Sequence, residues 1–145
     1  MKRAVWKREY EIGVEKVDQE HMRLVKLCRA MADAILVDKD EAVMGQVLAA
    51  LKLYTEEHFR DEEVELERLK SPLARRMKIA HARLEAQLHL IIDGFGKRPH
   101  VQTLEDLLTW LETELLPHFT GMDVSAFLAT PEGRKAHARR LYSVA

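Results

Sequence analysis

Residues 43–66 read VMGQVLAALKLYTEEHFRDEEVEL, and their apolar side chains recur at steps of three and four residues. This period is typical of an amphipathic α-helix that turns one face toward a core. The apolar face includes His58 and Glu62, so an imidazole and a carboxylate four residues apart project from it. The positions on this face are Val43, Val47, Leu48, Leu51, Tyr54, His58, Glu62 and Leu66.

Three further stretches have the same period and predict three more helices. The first begins near Asp18, the third follows the break at Ser71-Pro72, and the fourth begins near Thr103. Proline suits the first turn of a helix and not its interior, and the chain has no alternating pattern typical of strands. The inward positions are His21, Leu24, Val25, Cys28, Met31 and Ile35 in the first helix, Met77, His81, Leu84, Leu88 and Ile92 in the third, and Leu107, Trp110, Leu111 and Leu115 in the fourth.

Four such helices joined by short connections predict an all-α fold, an up-down-up-down four-helix bundle. A single domain is expected over residues 1–145. An N-terminal arm over residues 1–15 is expected to pack the aromatic side chains of Trp6 and Tyr10 on the bundle. A short C-terminal tail helix is expected within 131–145, after the break that a proline and a glycine make there. We find no internal sequence repeat.

The composition bounds the classes of function. The chain has 145 residues, of which 47% are apolar and 32% charged, with a net charge of -1. These values exclude a disordered segment, and the even charge balance argues against a partner that is a nucleic acid or an acidic membrane surface. No apolar run is long enough for a membrane span, and the first residues are too polar for a signal peptide. Cys28 is the only cysteine, so a reducing, cytoplasmic setting is expected.

Every predicted helix places a histidine on its inward face. A single histidine there is usually a core residue with a hydrogen-bond partner. Several unmatched imidazoles and carboxylates in one core would each cost about 1–3 kcal/mol, and a pair of bound cations removes that cost. Imidazole and carboxylate donors without thiolate suit iron, manganese or zinc, and two bridging carboxylates suit a dinuclear iron centre. The residues concerned are His21, His58, Glu62, His81, His118 and Asp123.

The order and spacing of these residues resemble those of the hemerythrin family. The residues that carry the resemblance are His21, His58-Phe59-Arg60-Asp61-Glu62-Glu63, His81 and His118-Phe119-Thr120-Gly121-Met122-Asp123. The stretch from Trp6 to His21 is similar to the bacterial branch, the bacteriohemerythrins, and the resemblance extends to about Leu128. It implies a non-haem site with two iron ions, bridged by oxo or hydroxo and carboxylate groups, that binds dioxygen reversibly.

The resemblance also implies a role for each ligand. His21 and His58 would hold the iron that has an open position for dioxygen. His81 and His118 would hold the second iron, whose coordination is filled in the family. Glu62 and Asp123 would bridge the two ions.

The family's seventh ligand, a histidine, has no counterpart here. The family expects His-x3-His on the third helix, and a count from the preceding proline places Met77 in the first position and His81 in the second. The motif can instead be aligned as His81-x3-Glu85, with a carboxylate second. Because neighbouring helices run antiparallel, Glu85 lies toward the end where His58 sits, and a thioether is a poor ligand for iron beside carboxylates. We therefore predict Glu85 as the seventh metal ligand, with a vacated position at Met77 as the alternative.

Some remaining polar residues carry structural expectations. His118 and Asp123 are five residues apart and follow Pro117, which predicts a locally widened helical turn. The acidic residues that follow Glu62 are expected to form a solvated face, and His137 in the basic tail is expected to be solvated.

Two classes of function follow from this ligand set. The first is carriage, storage or sensing of dioxygen or a related small oxidant. The second is a diiron redox enzyme of peroxidase or oxidase type, because an anionic ligand at Glu85 would stabilise the ferric state. Sensing would need a signalling or redox partner outside this single domain.

Overall fold

The structure, a computed structural model, describes residues 7–37 and 41–142, which form helices and loops without a β-strand. Helix α1 spans Glu15–Leu36, α2 spans Glu41–Arg68 and α3 spans Ala74–Asp93. Helix α4 covers residues 100–128 in five consecutive segments, His100–Trp110, Leu111–Leu115, Leu116–His118, Phe119–Asp123 and Val124–Leu128. A shorter helix, α5, follows at Pro131–Tyr142. The predicted all-α class is confirmed.

The helices pack around one core in the predicted order. Helix α1 packs on α2 and α4, and α3 packs on the same two helices, as an up-down-up-down bundle requires. None of the helices that the structure describes is long and apolar enough to cross a membrane.

The two largest apolar clusters of the bundle enclose a buried polar layer between them. The larger cluster includes Leu24, Leu51, Phe59, Leu84 and Leu115, and the smaller one consists of Ile12, Val17, Leu66, Met77, Ala126 and Phe127. On α1, His21 lies between Val17 of the small cluster and Leu24 of the large one. The other three long helices, α2, α3 and α4, also contribute residues to both clusters, and their inward histidines lie between those residues. The sequence stripes therefore place every inward histidine at one level of the bundle.

Helix α4 contains two π-helical segments, on either side of Pro117. Proline has no N–H to donate, so the regular hydrogen-bond ladder is interrupted before it, and the N–H of Leu116 bonds five residues back to the carbonyl of Leu111. The second segment, Phe119–Asp123, confirms the widened turn predicted from the five-residue spacing. The first segment, Leu111–Leu115, was not predicted.

The described part of the arm is held between α1 and α5. Asp18 accepts hydrogen bonds from the backbone N–H groups of Ile12 and Gly13, at 2.7 and 2.9 Å. Gly13 has φ +105, and a Cβ there would lie 2.5 Å from the carbonyl oxygen of Ala136, so only glycine fits. His137 donates from Nδ1 to the carbonyl of Ile12 at 2.7 Å. The expectation that His137 is solvated is therefore wrong, and Trp6 lies outside the described residues.

Helix α5 begins at Pro131, the proline at which a break was expected. Thr130 caps it, because its hydroxyl oxygen accepts a hydrogen bond from the N–H of Gly133 at 3.1 Å. Proline at the first helical position is then favourable rather than disruptive. The segment that looked like a break is the N-terminus of the helix.

Cys28 is fully buried in the large cluster, and burial raises the pKa of its thiol to about 12. In the unfolded chain the thiol ionises near its ordinary pKa, so between about pH 9 and pH 12 unfolding releases a proton that the native state retains. We expect this group alone to reduce the free energy of unfolding by about 1.4 kcal/mol per pH unit in that range. Denaturant unfolding of the wild type and Cys28→Ala at pH 8 and 10.5 tests this. An equal stability difference between the two proteins at both values would contradict it.

Candidate metal centre

The polar layer brings together six of the seven residues predicted as ligands. All six are buried, and each long helix contributes at least one of them. Two groups of metal-ligating side chains result, and within each group the candidate ligand atoms lie within 4.8 Å of one another. The first group is His21, His58, Glu62 and Asp123, and the second is Glu62, His81, His118 and Asp123.

Glu62 belongs to both groups because its two oxygens face different histidines. Its Oε2 lies 3.5 Å from Nε2 of His21 and 3.4 Å from Nε2 of His58. Its Oε1 lies 3.1 Å from Nε2 of His81. One carboxylate oxygen directed at each group is the arrangement of a ligand that bridges two ions.

Asp123 is divided between the groups in the same way. Its Oδ2 lies 3.1 Å from Nε2 of His21, and its Oδ1 lies 2.8 Å from Nε2 of His118. The two carboxylates thus lie side by side between two pairs of imidazoles.

Residues of the metal centre recur at a fixed interval along the chain. The interval is 60 residues for three pairs, His21 and His81, His58 and His118, and Phe59 and Phe119. Phe119 stacks on the ring of His21 with 3.6 Å between ring centroids. Phe59 stacks on the ring of His81 at 4.0 Å. The sequence as a whole showed no repeat, but the residues of the centre follow an approximate two-fold relation.

The carboxylates depart from this interval by one residue. Glu62 and Asp123 are 61 residues apart, and Asp123 ends the π-helical segment of α4 whereas Glu62 lies in a regular α-helix. In α2, Glu62 is the fourth residue after His58 and lies on the same face of the helix. The wider turn of α4 brings Asp123, the fifth residue after His118, to the corresponding face. The π-helix therefore compensates for the extra residue.

The hydrogen-bonding state of these atoms fits bound cations. Among the described residues, Nε2 of His58 and of His118, Oε2 of Glu62 and both oxygens of Asp123 are buried without a hydrogen bond. Buried polar atoms in this state are costly, and two cations would satisfy all of them. The donor set of imidazole nitrogen and carboxylate oxygen, without thiolate, suits iron, manganese or zinc.

The surrounding charges act differently on the individual histidines. Burial, reinforced by neighbouring His58, lowers the pKa of His21 to about 3, so its ring is neutral as a metal ligand must be. Burial also lowers the pKa of His118, but the nearby carboxylate of Asp123, 2.8 Å from its Nε2, outweighs burial, and the net shift is upward. His58 is shifted upward for a similar reason, because Glu20, Glu62 and Asp123 outweigh its burial. The carboxylates of this layer thus favour positive charge.

Two further carboxylates, which sequence analysis did not identify, contact the outer nitrogens of the ligands. Glu63 is buried, and its Oε2 lies 2.7 Å from Nδ1 of His81, where it accepts a hydrogen bond from the Nδ1–H group and leaves Nε2 to ligate. Oε2 of Glu20 lies 3.4 Å from Nδ1 of His58. Such partners fix the orientation of a metal-bound histidine and raise its basicity. The prediction that the acidic residues after Glu62 are solvated is therefore wrong for Glu63. The signal that could have identified Glu63 is its place next to Glu62 in the His-Phe-x-x-Glu-Glu motif.

Glu85, the seventh predicted ligand, lies in neither group. Its carboxylate pairs with the guanidinium of Arg60, which also lies 3.6 Å from Oε2 of Glu63. The buried stripe of α3 passes through Met77, His81 and Leu84, and Glu85 is turned from that stripe toward α2. Arg60 and Glu85 thus support Glu63 at the edge of the centre.

Met77, the alternative for the seventh position, is fully buried in the small apolar cluster. It lies one turn before His81 on the same face of α3, which is the register obtained by counting from the proline. Apolar packing thus occupies the position one turn before His81.

Comparison with known proteins agrees with this geometry. The family model described as Hemerythrin HHE cation binding domain matches residues 12–127. The bacteriohemerythrin of Clostridium acetobutylicum is 36% identical over 63 residues, which are 41% of this chain and 48% of that relative. The match thus spans about half the length of the relative. No solved structure matches significantly. Because the family model covers most of the chain, the chain belongs to the hemerythrin family of cation-binding proteins.

Proposed function

We propose that this protein is a non-haem diiron protein that binds dioxygen or a related small oxidant, for carriage, storage or sensing. The observation that carries the proposal is the pair of four-residue groups that share both carboxylates. His21 and His58 would hold one iron ion, His81 and His118 the other, and Glu62 and Asp123 would bridge them. When bound, two ferrous ions supply the electrons that reversible binding of dioxygen requires.

The chain's own residues prepare the site for this role. The rings of Phe59 and Phe119 stack on two ligands and fix their planes, and apolar clusters on both sides of the layer exclude water. Glu63 holds the proton on the outer nitrogen of His81 and directs the inner nitrogen to the centre. Because the six ligands are buried, such a site favours a small ligand over a larger oxidant.

A diiron redox enzyme of peroxidase or oxidase type is the second candidate. The observation that favours it is Met77, which leaves the second ion with fewer protein ligands than the family provides. The carboxylate at Glu85 no longer supports this candidate, because it pairs with Arg60. We also propose a cytoplasmic location, because the chain's one cysteine is a buried, free thiol. A signalling or redox partner remains part of the sensing proposal.

Anaerobic loading with ferrous iron followed by elemental analysis tests the proposal. We expect two iron ions per chain and, on admission of air, a visible charge-transfer absorption that disappears when dioxygen is withdrawn. Asp61→Ala, at an exposed site next to Glu62, should behave as the wild type and serves as control. One ion per chain, or a preference for a single zinc ion, would contradict the diiron assignment. Persistent turnover of a reducing co-substrate with peroxide would favour the enzyme.

A further inference from the structure

The two halves of the metal centre offer equal numbers of donors. Each half has two imidazoles and one oxygen from each bridging carboxylate. Each ion would therefore have four protein donors. Iron with nitrogen and oxygen ligands takes octahedral coordination, so positions would remain on both ions.

The residue one turn before the histidine is apolar in both halves. It is Val17 before His21 on α1 and Met77 before His81 on α3, and these two residues are also 60 positions apart. Val17 and Met77 are buried in the same small cluster. Neither side chain offers a nitrogen or oxygen donor, and a thioether is a soft ligand that does not suit iron beside carboxylates. In both halves, therefore, the position one turn before the histidine lacks a nitrogen or oxygen donor.

No other side chain in the described ranges supplies that donor to the second half. The group around His81 and His118 contains four members, and Glu85, one turn after His81, is engaged by Arg60. Glu63 contacts His81 at its outer nitrogen. The second half is therefore as open as the first.

We infer that the ion held by His81 and His118 keeps an exchangeable position of its own, and that this position takes a small monoanion. The inference rests on the proposed pair of ions. Two divalent ions against the two bridging carboxylates leave the inner layer positively charged, which favours an anion. The layer is enclosed by apolar side chains that include Met77 and Phe127, so a large or multiply charged ligand would lose its hydration without replacement.

Azide binding to the protein loaded with cobalt(II) tests the inference, because cobalt absorption reports coordination without any redox reaction. We expect two cobalt ions and two azide ions per chain, the latter measured by calorimetry and by the change in visible absorption. Met77→Leu keeps the volume and removes the sulfur, and it should also bind two. Met77→His adds an imidazole one turn before His81, so its azide stoichiometry should fall to one.

The outcomes separate the inference from the proposed function. Uptake of fewer than two cobalt ions by the wild type would contradict the two-ion centre itself. Two cobalt ions with one azide in both the wild type and Met77→Leu would overturn only the second open position. One azide in the wild type and two in Met77→Leu would show that the thioether is a ligand, which also overturns the inference. The wild-type stoichiometry decides the question even where Met77→His does not fold.

Discussion

Glu62→Ala is expected to lose both metal ions, whereas His81→Ala is expected to lose or weaken only one. The reason is that Glu62 directs one oxygen to each pair of histidines, while His81 belongs to one group alone. Loss of an outer partner of a ligand typically costs 10- to 100-fold in metal affinity, and loss of a direct ligand to both ions should cost more than about 100-fold at each. Elemental analysis after gel filtration, with chelator competition for affinities, measures the effect.

Three comparisons make this prediction specific. Asp61→Ala changes the preceding carboxylate, which is exposed, and should keep both ions. Glu63→Ala removes the partner of the His81 outer nitrogen and should weaken one ion by about 10- to 100-fold. Glu85→Ala should have a smaller effect, since it acts on Glu63 only through Arg60. Retention of two ions by Glu62→Ala would show that this carboxylate does not bridge.

The helices and their inward histidines could be predicted from the sequence because the same helical period of apolar residues indicates both. A stripe of apolar residues marks the face that becomes buried, and a histidine on that stripe is buried with it. Four stripes of this kind then determine which polar residues meet, provided that the histidines lie at a similar level along each helix. His21, His58, His81 and His118 satisfy that condition, and the structure brings them together.

The positions of the neighbouring carboxylates depend on how the helices are rotated against each other, which the period does not specify. Glu63 is adjacent to Glu62 and projects about 100° further around α2, where α3 covers it and His81 becomes its partner. Glu85 was expected one turn beyond His81, toward the end where His58 sits, but the competing guanidinium of Arg60 could not be foreseen from spacing alone. Long charged side chains at a helix interface choose partners by their reach rather than by their periodicity.

In helix α4 the backbone conformation, too, could be predicted only in part from the sequence. The five-residue interval between His118 and Asp123 makes sense only if both are ligands, so a functional hypothesis predicted the second π-helical segment. The first segment follows from the missing N–H of Pro117. Proline in a helix has several outcomes, a kink, a break or a widened turn, and packing of the flanking residues in the core selects among them.

Removal of the metal is expected to lower the melting temperature by about 10 °C or more. The six ligands are buried in the layer between the apolar clusters, and several of their atoms have no hydrogen-bond partner within the protein. Ions that bind the native state alone stabilise it by about 4 kcal/mol when their free concentration is 1,000 times the dissociation constant. For a chain of this size each kcal/mol corresponds to about 2–4 °C, so one such ion already accounts for a shift of this order.

Thermal unfolding followed by circular dichroism, with iron or zinc and then with excess chelator, measures this stabilisation. Glu62→Ala provides the decisive comparison, because it removes the bridging ligand and leaves the apolar clusters intact. Its melting temperature should be the same with metal and with chelator. In the metal-free state it should not be much less stable than the wild type, because the substitution removes a buried carboxylate that has incomplete hydrogen bonding. If the wild type melts at the same temperature in both conditions, the polar layer is satisfied without ions, and its six residues serve the fold rather than a metal.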